Sequence, residues 1–245
     1  MAASDAAVQL HGVGVRYGTQ SAVAGVQAAF GRAGLHAIVG PNGAGKSSLI
    51  GAIAGLQRHS GRIDVAADLR PHMGYLPQRS QVDRSFPITV ADFAAMGLWP
   101  RLGALRGMSR AQTQAVDEVL ERLGLQTLQR RLIGELSTGQ FQRLLFARLC
   151  LQDARLLLLD EPFAALDEDT TTALMALLQA WRAQGRTVIA VLHEQTLVRA
   201  HFDSALLMAG TALLQGPADA ALAPAAWRHA ERQLARHAAA LPSPA

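Results

Sequence analysis

The chain has 245 residues, 50% of them hydrophobic, which favours one compact domain with a substantial core. No stretch approaches the roughly 20 apolar residues of a membrane-spanning helix, and the N-terminus lacks a secretory pattern, so we expect a cytoplasmic protein. The net charge is +4, but the arginines are scattered and only 5% of residues are aromatic, which argues against nucleic acid as a partner. The single cysteine excludes an internal disulfide and any cysteine-cluster metal site.

Predicted strands and helices alternate along most of the chain. Val8 to Phe30 carries short apolar stretches separated by glycines, which predicts antiparallel strands and turns. A buried strand is predicted at Leu35 to Val39, followed by a helix over Ser47 to Leu56. Later predicted elements are a strand at Leu156 to Asp160, a helix at Asp169 to Gln184 and a strand at Thr187 to His193. This alternation indicates an α/β fold with a mainly parallel sheet covered on both faces.

The middle of the chain, from about residue 78 to residue 150, is predicted to be an inserted helical subdomain. Ser109 and Gln112 form a capping box, and the apolar stripe that follows them ends at Gly124. Another helix is predicted to begin near Ser137.

The C-terminal part is alanine-rich from Pro217 onward and predicts one or two helices. We place the whole domain at residues 8–238 and expect a frayed tail at residues 239–245. No internal repeat is evident in the sequence.

A glycine-rich loop lies between the predicted strand at Leu35 to Val39 and the helix after it. Its sequence, GPNGAGKS, matches the phosphate-binding pattern GxxxxGK[ST]. Backbone N–H groups of such a loop converge on phosphates, and the following helix presents its positive end to the same anion. Lys46 is expected to reach the β- and γ-phosphates of a bound nucleotide, and the Ser47 hydroxyl to bind Mg²⁺. The nucleotide-binding residues assigned here are Gly40, Pro41, Asn42, Gly43, Ala44, Gly45, Lys46, Ser47 and Ser48.

Lys46 is the single lysine among the 23 lysine and arginine residues. A compact ammonium fits beneath a phosphate where a planar guanidinium does not, which disfavours the alternative of an ordinary glycine turn. The loop by itself leaves GTPases, nucleotide kinases and ABC ATPases open.

Two carboxylates, Asp160 and Glu161, end the leucine-rich strand. At the C-terminal end of a parallel strand both are expected to face the ligand crevice of the sheet. Asp160 is placed to hold Mg²⁺, and Glu161 is the candidate general base for the attacking water. The alternative is that the two carboxylates only solvate the end of the strand. The presence of the phosphate-binding loop in the same sequence argues against this alternative.

The segment Ser137-Thr138-Gly139-Gln140 precedes a helix, and helix capping alone could explain Ser137 with Gln140. At this point the sequence resembles the ABC ATPase family, whose signature LSGGQ stands before a helix with the same QR–ARxL pattern. The resemblance covers nearly the whole chain. It implies a P-loop NTPase fold of the ABC type, with N-terminal antiparallel strands beside the parallel sheet and an inserted helical subdomain.

The resemblance also implies roles for residues outside these motifs. Tyr17 takes the position that stacks on adenine, and Asp167 lies in the D-loop. Gln78 belongs to the Q-loop, and with Ser47 and Asp160 it completes the implied set of Mg²⁺ ligands. His193 is the implied switch histidine, which contacts the γ-phosphate and joins Glu161 and Lys46 as a catalytic residue.

Two positions depart from the family pattern. Thr138 replaces the first glycine of the signature, and Ser48 replaces the usual threonine after Ser47. A β-branched side chain where backbone meets phosphate is expected to temper activity.

The family resemblance implies a homodimer that forms on ATP binding. Each ATP then lies between the phosphate-binding loop of one copy and the signature of the other, related by a twofold axis. The implied partners are integral-membrane permease subunits at the cytoplasmic face of the inner membrane. A periplasmic or extracellular metal-binding protein would be an indirect partner.

The segment that begins at Tyr75, YLPQRSQVDRSFPITVADFAAMGL, resembles that of zinc, manganese and iron(II) importers. The pattern VDxxFP–TVxDxxxMG carries this similarity and favours zinc, with manganese or iron next. A non-transport ABC ATPase is the alternative. Such proteins need a long coiled coil between the phosphate-binding loop and the signature, but the residues between Lys46 and Ser137 suffice only for the helical subdomain. A nucleotide kinase would need an acceptor site and would not use the signature.

Overall fold

The structure is a computed structural model that describes residues 6–78, 82–99 and 107–239, with side chains up to residue 235. The strands in these ranges are β1 (Ala6–Tyr17), β2 (Gln20–Gly31), β3 (Leu35–Val39), β4 (Ser60–Val65), β5 (Met73–Leu76), β6 (Leu156–Asp160), β7 (Thr187–Val191), β8 (Ser204–Met208) and β9 (Ala212–Pro217). The α-helices are α1 (Lys46–Ile53), α2 (Val90–Ala95), α3 (Arg110–Arg122), α4 (Thr138–Gln152), α5 (Glu168–Ala183), α6 (Gln195–His201), α7 (Ala218–Ala221) and α8 (Pro224–Ala239). Short 3-10 turns lie at Arg70–His72, Met96–Leu98, Gln126–Leu128 and Ile133–Glu135.

The central sheet has the strand order β5-β6-β7-β3-β8-β9, and every pair except β8 with β9 is parallel. Each residue of β3, β6 and β7 is buried, as the near-continuous apolar sequences of strands covered on both faces require. The carboxyl ends of these strands meet at one edge of the sheet. The predicted mainly parallel sheet is therefore confirmed.

A smaller antiparallel sheet, in the order β2-β1-β4, lies beside the central one. It packs through Phe30 against a core that includes Leu49 of α1 and Leu158 of β6. The Gln215 side chain on β9 also exchanges two hydrogen bonds with the Ala29 backbone on β2, at 3.0 and 2.6 Å. The predicted antiparallel strands at Val8 to Phe30 are confirmed.

The other face of the central sheet packs against α4, α5 and the helical subdomain. Phe146 of α4 stacks on Trp181 of α5, with ring centroids 6.1 Å apart and planes inclined by 18°. At the start of α3, Ser109 and Gln112 make both hydrogen bonds of the predicted capping box. The described residues between 82 and 152 therefore contain α2, α3 and α4, joined by loops and 3-10 turns.

The element ends differ from the predictions in a few places. Helix α1 ends at Ile53 instead of Leu56, because Gly55 has φ 74° and the Leu56 amide turns back to the Gly51 carbonyl at 2.9 Å. Strand β7 ends at Val191, so His193 follows the strand instead of ending it.

Strands β4, β5, β8 and β9 were not predicted, since their short apolar runs carry no clear boundary signals. Helices α7 and α8 occupy the alanine-rich part, in agreement with the prediction. Most of the predicted frayed tail, residues 240–245, lies outside the described residues. Across the described ranges, no helix has both the length and the hydrophobicity needed to cross a membrane.

Candidate nucleotide-binding site

The glycine-rich loop runs from the end of β3 into α1, and two of its glycines are required by close backbone contacts. Gly40 has φ 152°, and a Cβ atom there would lie 2.2 Å from the Met208 carbonyl oxygen. Gly45 has φ 85°, and a Cβ atom there would lie 2.3 Å from the Ala22 carbonyl oxygen. Any larger residue would displace backbone at these two positions.

The N-terminus of α1 opens onto this loop. Its N-cap is Gly45, which offers no side-chain hydrogen bond to the first turn. Free N–H groups and the positive end of the helix dipole form an anion-binding site at such a terminus. The loop and the helix N-terminus together have the features of an anion-binding site, and phosphate binding by them stays a prediction.

Lys46 lies inside the loop and is only 5% exposed. Its Nζ donates to the carbonyl oxygens of Gly40 at 2.9 Å and Pro41 at 3.0 Å. Burial lowers the pKa of Lys46, and the nearby carboxylates of Glu161 and Asp160 oppose that shift. The ammonium is thus held next to the anion-binding turn by neutral acceptors.

Ser47 and Asp160 form the second part of the site. The Ser47 hydroxyl donates to Asp160 Oδ1 at 2.9 Å, and Asp160 is fully buried. Burial raises the pKa of Asp160 to about 6, although the Ser47 hydrogen bond opposes this. Asp160 Oδ2 is also buried and has no hydrogen-bond partner among the described residues. A hydroxyl beside a carboxylate with an unpaired oxygen is a donor set that suits Mg²⁺.

Glu161 follows β6 and has both carboxylate oxygens in hydrogen bonds. Gln78 Nε2 donates to Oε2 at 2.9 Å, and His193 Nε2 lies 2.7 Å from Oε1. The backbone of Glu161 adopts φ 51°, a left-handed conformation that costs a non-glycine residue on the order of 1–3 kcal/mol. Backbone strain of this kind at a carboxylate motivates a functional hypothesis for Glu161.

One cavity of about 290 Å³ brings these parts together, because residues 42–48 line it with Glu161 and His193. A larger cavity of about 510 Å³ opens at the amino ends of the parallel strands. Two arginines there already pair with carboxylates, Arg32 with Asp68 and Arg186 with Asp153. The smaller cavity is the better candidate because charged groups, loop amides and a helix N-terminus converge on it.

Tyr17 lies next to the end of the loop. Its hydroxyl is 3.3 Å from Ser48 Oγ, and the residue is 48% exposed. An exposed aromatic ring at this position is suited to stacking on a base. Stacking on adenine stays a prediction.

The signature residues begin α4 as a complete capping box. Ser137 Oγ accepts from the Gln140 amide at 3.3 Å, and Gln140 Oε1 accepts from the Ser137 amide at 2.9 Å. Thr138 and Gly139 therefore occupy the first turn of the helix. None of these four residues lines the 290 Å³ cavity of its own chain.

Asp167 caps α5, with Oδ1 accepting from the Thr170 amide at 2.7 Å and Oδ2 accepting from the Thr170 hydroxyl at 3.0 Å. These bonds to Thr170 lower the pKa of Asp167. A Cβ atom on Gly139 would lie 3.8 Å from Asp167 Oδ2, so the D-loop and the signature of one chain are neighbours.

The contacts of two residues in the site region were not predicted from the sequence. Gln142 is 2% exposed, and its Nε2 donates to the Pro162 carbonyl at 2.8 Å, which joins α4 to the turn after Glu161. Arg84 reaches the loop before Ser137. A polar residue on the apolar face of α4 is a signal that could have identified Gln142, whereas no local pattern marks Arg84.

No group of three or more His, Cys, Asp or Glu residues able to hold a metal ion occurs in the ranges that the structure describes.

Comparison with known proteins gives consistent matches. A family described as ABC transporter matches residues 23–164. The manganese transport system ATP-binding protein MntB of Listeria monocytogenes is 36% identical over 217 residues, 86% of this chain and 90% of that protein. The zinc transport system ATP-binding protein TroB of Treponema pallidum is 38% identical over 187 residues, 74% of this chain and 70% of that protein. A solved structure of an ABC transporter in an inward-facing conformation has a TM-score of 0.79 and 26% identity, and the match covers 92% of this chain and 90% of that chain.

Proposed function

Because the chain belongs to the ABC transporter family, as an ATP-binding subunit with ATPase activity, we propose that it powers the import of a divalent metal ion. In this proposal it works as a homodimer beneath separate permease subunits at the cytoplasmic face of the membrane. The observation that carries it is the convergence of residues 42–48, Glu161 and His193 on one cavity. The relatives with named metal-transport roles supply the cargo class.

ATP binding rests on the glycine-rich loop. The loop amides and the α1 N-terminus would bind the phosphates, and Lys46 would exchange its carbonyl acceptors for phosphate oxygens. Tyr17 would stack on the adenine beside Ser48.

Mg²⁺ bound with ATP would neutralise phosphate charge. Ser47 and Asp160 are the side chains that fit it, because the unpaired Asp160 Oδ2 lies beside a hydroxyl. Gln78 donates its amide to Glu161, so it would bind Mg²⁺ through its side-chain oxygen while the nitrogen keeps this hydrogen bond.

Glu161 is the proposed general base. Its carboxylate would accept the proton of the attacking water, while Gln78 and His193 hold the carboxylate in place. His193 follows β7, and its Nε2 lies 2.7 Å from the same carboxylate. A contact between His193 and the γ-phosphate would therefore also affect the position of Glu161.

The signature supports the dimer. Ser137, Thr138 and Gly139 form a capped helix N-terminus that lies outside the cavity of their own chain. Across a twofold axis this N-terminus would face the γ-phosphate held by the other copy. ATP would therefore hold the two copies together, and hydrolysis would release them.

The proposed permease contact is a groove of about 430 Å³ between the end of α1, β5 and α4. Leu56 lines it and is 62% exposed, so a large apolar side chain is accessible there for contact with a partner. The groove also includes Pro77, the neighbour of Gln78. A permease helix bound there would contact the chain next to Gln78, whose side chain donates a hydrogen bond to Glu161.

The cargo is proposed as a divalent metal ion that reaches the permease from an extracellular or periplasmic binding protein. Zinc, the metal favoured by the pattern after Tyr75, stays a prediction, because the relatives described above include both manganese and zinc systems.

The test uses the chain purified together with its permease in lipid vesicles. We expect phosphate release from ATP without any added acceptor, and stimulation when the binding protein loaded with Mn²⁺ or Zn²⁺ is supplied outside. Stimulation by one metal alone would identify the cargo. Hydrolysis that depends on an added phosphate acceptor would favour a kinase, and hydrolysis that no permease affects would favour a non-transport ATPase.

A further inference from the structure

Arg84 lies between Gln78 and α2, and its side chain reaches the loop in front of Ser137. Its Nη2 donates to the carbonyl oxygens of Ile133 at 3.3 Å and Gly134 at 3.4 Å, and also to that of Leu136. These three acceptors belong to the 3-10 turn Ile133–Glu135 and to the residue directly before the Ser137 N-cap. One guanidinium therefore fixes the backbone that leads into the signature.

The same guanidinium contacts the first turn of α4. Arg84 Cζ lies 4.7 Å from the ring centroid of Phe141, a fully buried residue that follows Gln140. This is a cation–π distance, and the planar group can stack on the ring while its N–H groups reach the carbonyls. A lysine ammonium offers only a point charge and could not make both contacts equally well.

The backbones of the two segments are also joined. The Ile133 amide donates to the Ile88 carbonyl at 3.1 Å, and the Val90 amide donates to the Arg131 carbonyl at 2.9 Å. A Cβ atom on Gly134 would lie 3.0 Å from the Arg84 carbonyl oxygen. Displacement of residues 84–90 therefore displaces the loop before Ser137.

We propose that Arg84 is a positioning residue that holds the signature N-terminus in the orientation from which it meets the ATP bound by a second copy. This inference rests on the proposed function, because it needs the dimer in which the signature acts across the interface. It predicts that Arg84 affects dimer closure and leaves the nucleotide affinity of the single chain unchanged.

The experiment compares variants in a Glu161→Gln background, which is expected to form a stable ATP-bound dimer. The variants are Arg84→Met, Arg84→Lys and the control Arg186→Met. Arg186 is a suitable control because its side chain is only 19% exposed and it also donates to a backbone carbonyl, that of Ala154 at 3.1 Å, far from the signature. Two quantities are measured, the ATP affinity of the monomer with a fluorescent analogue and the dimer dissociation constant by sedimentation.

We expect Arg84→Met to raise the dimer dissociation constant at least about tenfold while monomer ATP affinity stays within about twofold. Arg84→Lys is expected to give a smaller increase, and Arg186→Met none. The lysine variant, which retains the charge and an aliphatic stem, carries the test if the methionine variant does not fold.

An unchanged dimer constant in both Arg84 variants would overturn the inference. So would an equal loss of monomer ATP affinity, or an equal effect of Arg186→Met, since either indicates general destabilisation. If Glu161→Gln alone stays monomeric with ATP, the proposed dimer fails and the inference fails with it. If Glu161→Gln forms the ATP-bound dimer and the Arg84 substitutions do not change its dissociation constant, the inference is refuted while the proposed function stands.

Discussion

Gln78 and Glu161 are 83 positions apart in the chain, yet the Gln78 amide nitrogen lies 2.9 Å from Glu161 Oε2. Gln78 follows the edge strand β5, whereas Glu161 follows the neighbouring strand β6. Since His193 holds the other carboxylate oxygen, the orientation of the proposed base depends on side chains from two further segments. A permease that moves the Gln78 segment would therefore act directly on Glu161.

Glu161→Gln is expected to retain ATP binding and to lower turnover by at least about a hundredfold, because an amide cannot accept the proton of water. The variant should also accumulate as an ATP-bound dimer. Phosphate release and sedimentation in the presence of ATP measure the two effects. Glu194→Gln, at an exposed neighbouring carboxylate, is the control and should hydrolyse normally. Unchanged hydrolysis in Glu161→Gln would remove this residue from its proposed role.

Lys46→Ala is expected to lower nucleotide affinity or turnover by on the order of a hundredfold, because the charge beneath the β- and γ-phosphates is lost. Lys46→Arg should not restore activity, since Lys46 is buried against loop carbonyls with little room for a guanidinium. Binding of a fluorescent ATP analogue and steady-state hydrolysis separate the two effects. Full activity in either variant would contradict the phosphate-binding role.

Asp160→Asn is expected to stabilise the protein at pH 8 in the absence of Mg²⁺. The pKa of Asp160 is raised from 3.8 to about 6, so the folded state favours the protonated carboxyl. The stability that this protonated group contributes is complete below about pH 4 and is lost as the pH rises through 6. The variant should gain up to about 3 kcal/mol in free energy of unfolding at pH 8, and much less near pH 4.

Urea unfolding at the two pH values measures this difference. Addition of Mg²⁺ with ATP should stabilise the parent protein at pH 8 more than Asp160→Asn, which has lost a carboxylate ligand. A stability gain that is the same at both pH values would show that titration of Asp160 is not its cause.

Leu56→Asp is expected to abolish co-purification with the permease while ATP hydrolysis by the isolated chain stays unchanged. The charged side chain would put a carboxylate into the proposed groove, and covering it with a permease helix would cost desolvation free energy. Leu214→Asp is the matched control, because Leu214 is 40% exposed on β9 at the opposite edge of the central sheet. Equal loss of permease binding in both variants would argue against the groove as the docking surface.

Thr138→Gly is expected to raise turnover by about two- to fivefold if the β-branched side chain holds the signature backbone away from phosphate. Glycine in the first helical turn costs up to about 1 kcal/mol of helix stability, so the melting temperature should fall slightly. Hydrolysis rate and thermal unfolding are measured together. A lower hydrolysis rate would show that Thr138 assists the signature.

The sequence predicted the site where short motifs carry the chemistry. Residues 40–47, Asp160 and Glu161 could be placed because a loop and a strand end determine their positions. Helix capping was the alternative explanation for the spacing of Ser137 and Gln140, and both hydrogen bonds of that capping box are present.

Contacts between distant segments could not be predicted in this way. The hydrogen bonds from Gln78 and His193 to Glu161 depend on the order of β5, β6 and β7 in the sheet. The contacts of Arg84 depend on how residues 84–90 pack against the loop before Ser137. Short strands such as β8 and β9 were missed because their length and composition do not separate them from loops.

Lys46 carries the only side-chain amine of the sequence and lies almost entirely within the loop. An acylating reagent therefore has one internal target besides the amino terminus, and a lowered pKa keeps more of that amine in its nucleophilic form. Because the amine is only 5% exposed, its acylation requires the loop to open. The change in its acylation rate when ATP is added, followed by mass spectrometry, would therefore measure nucleotide occupancy of the loop while the permease, the lipid and the partner copy are all in place.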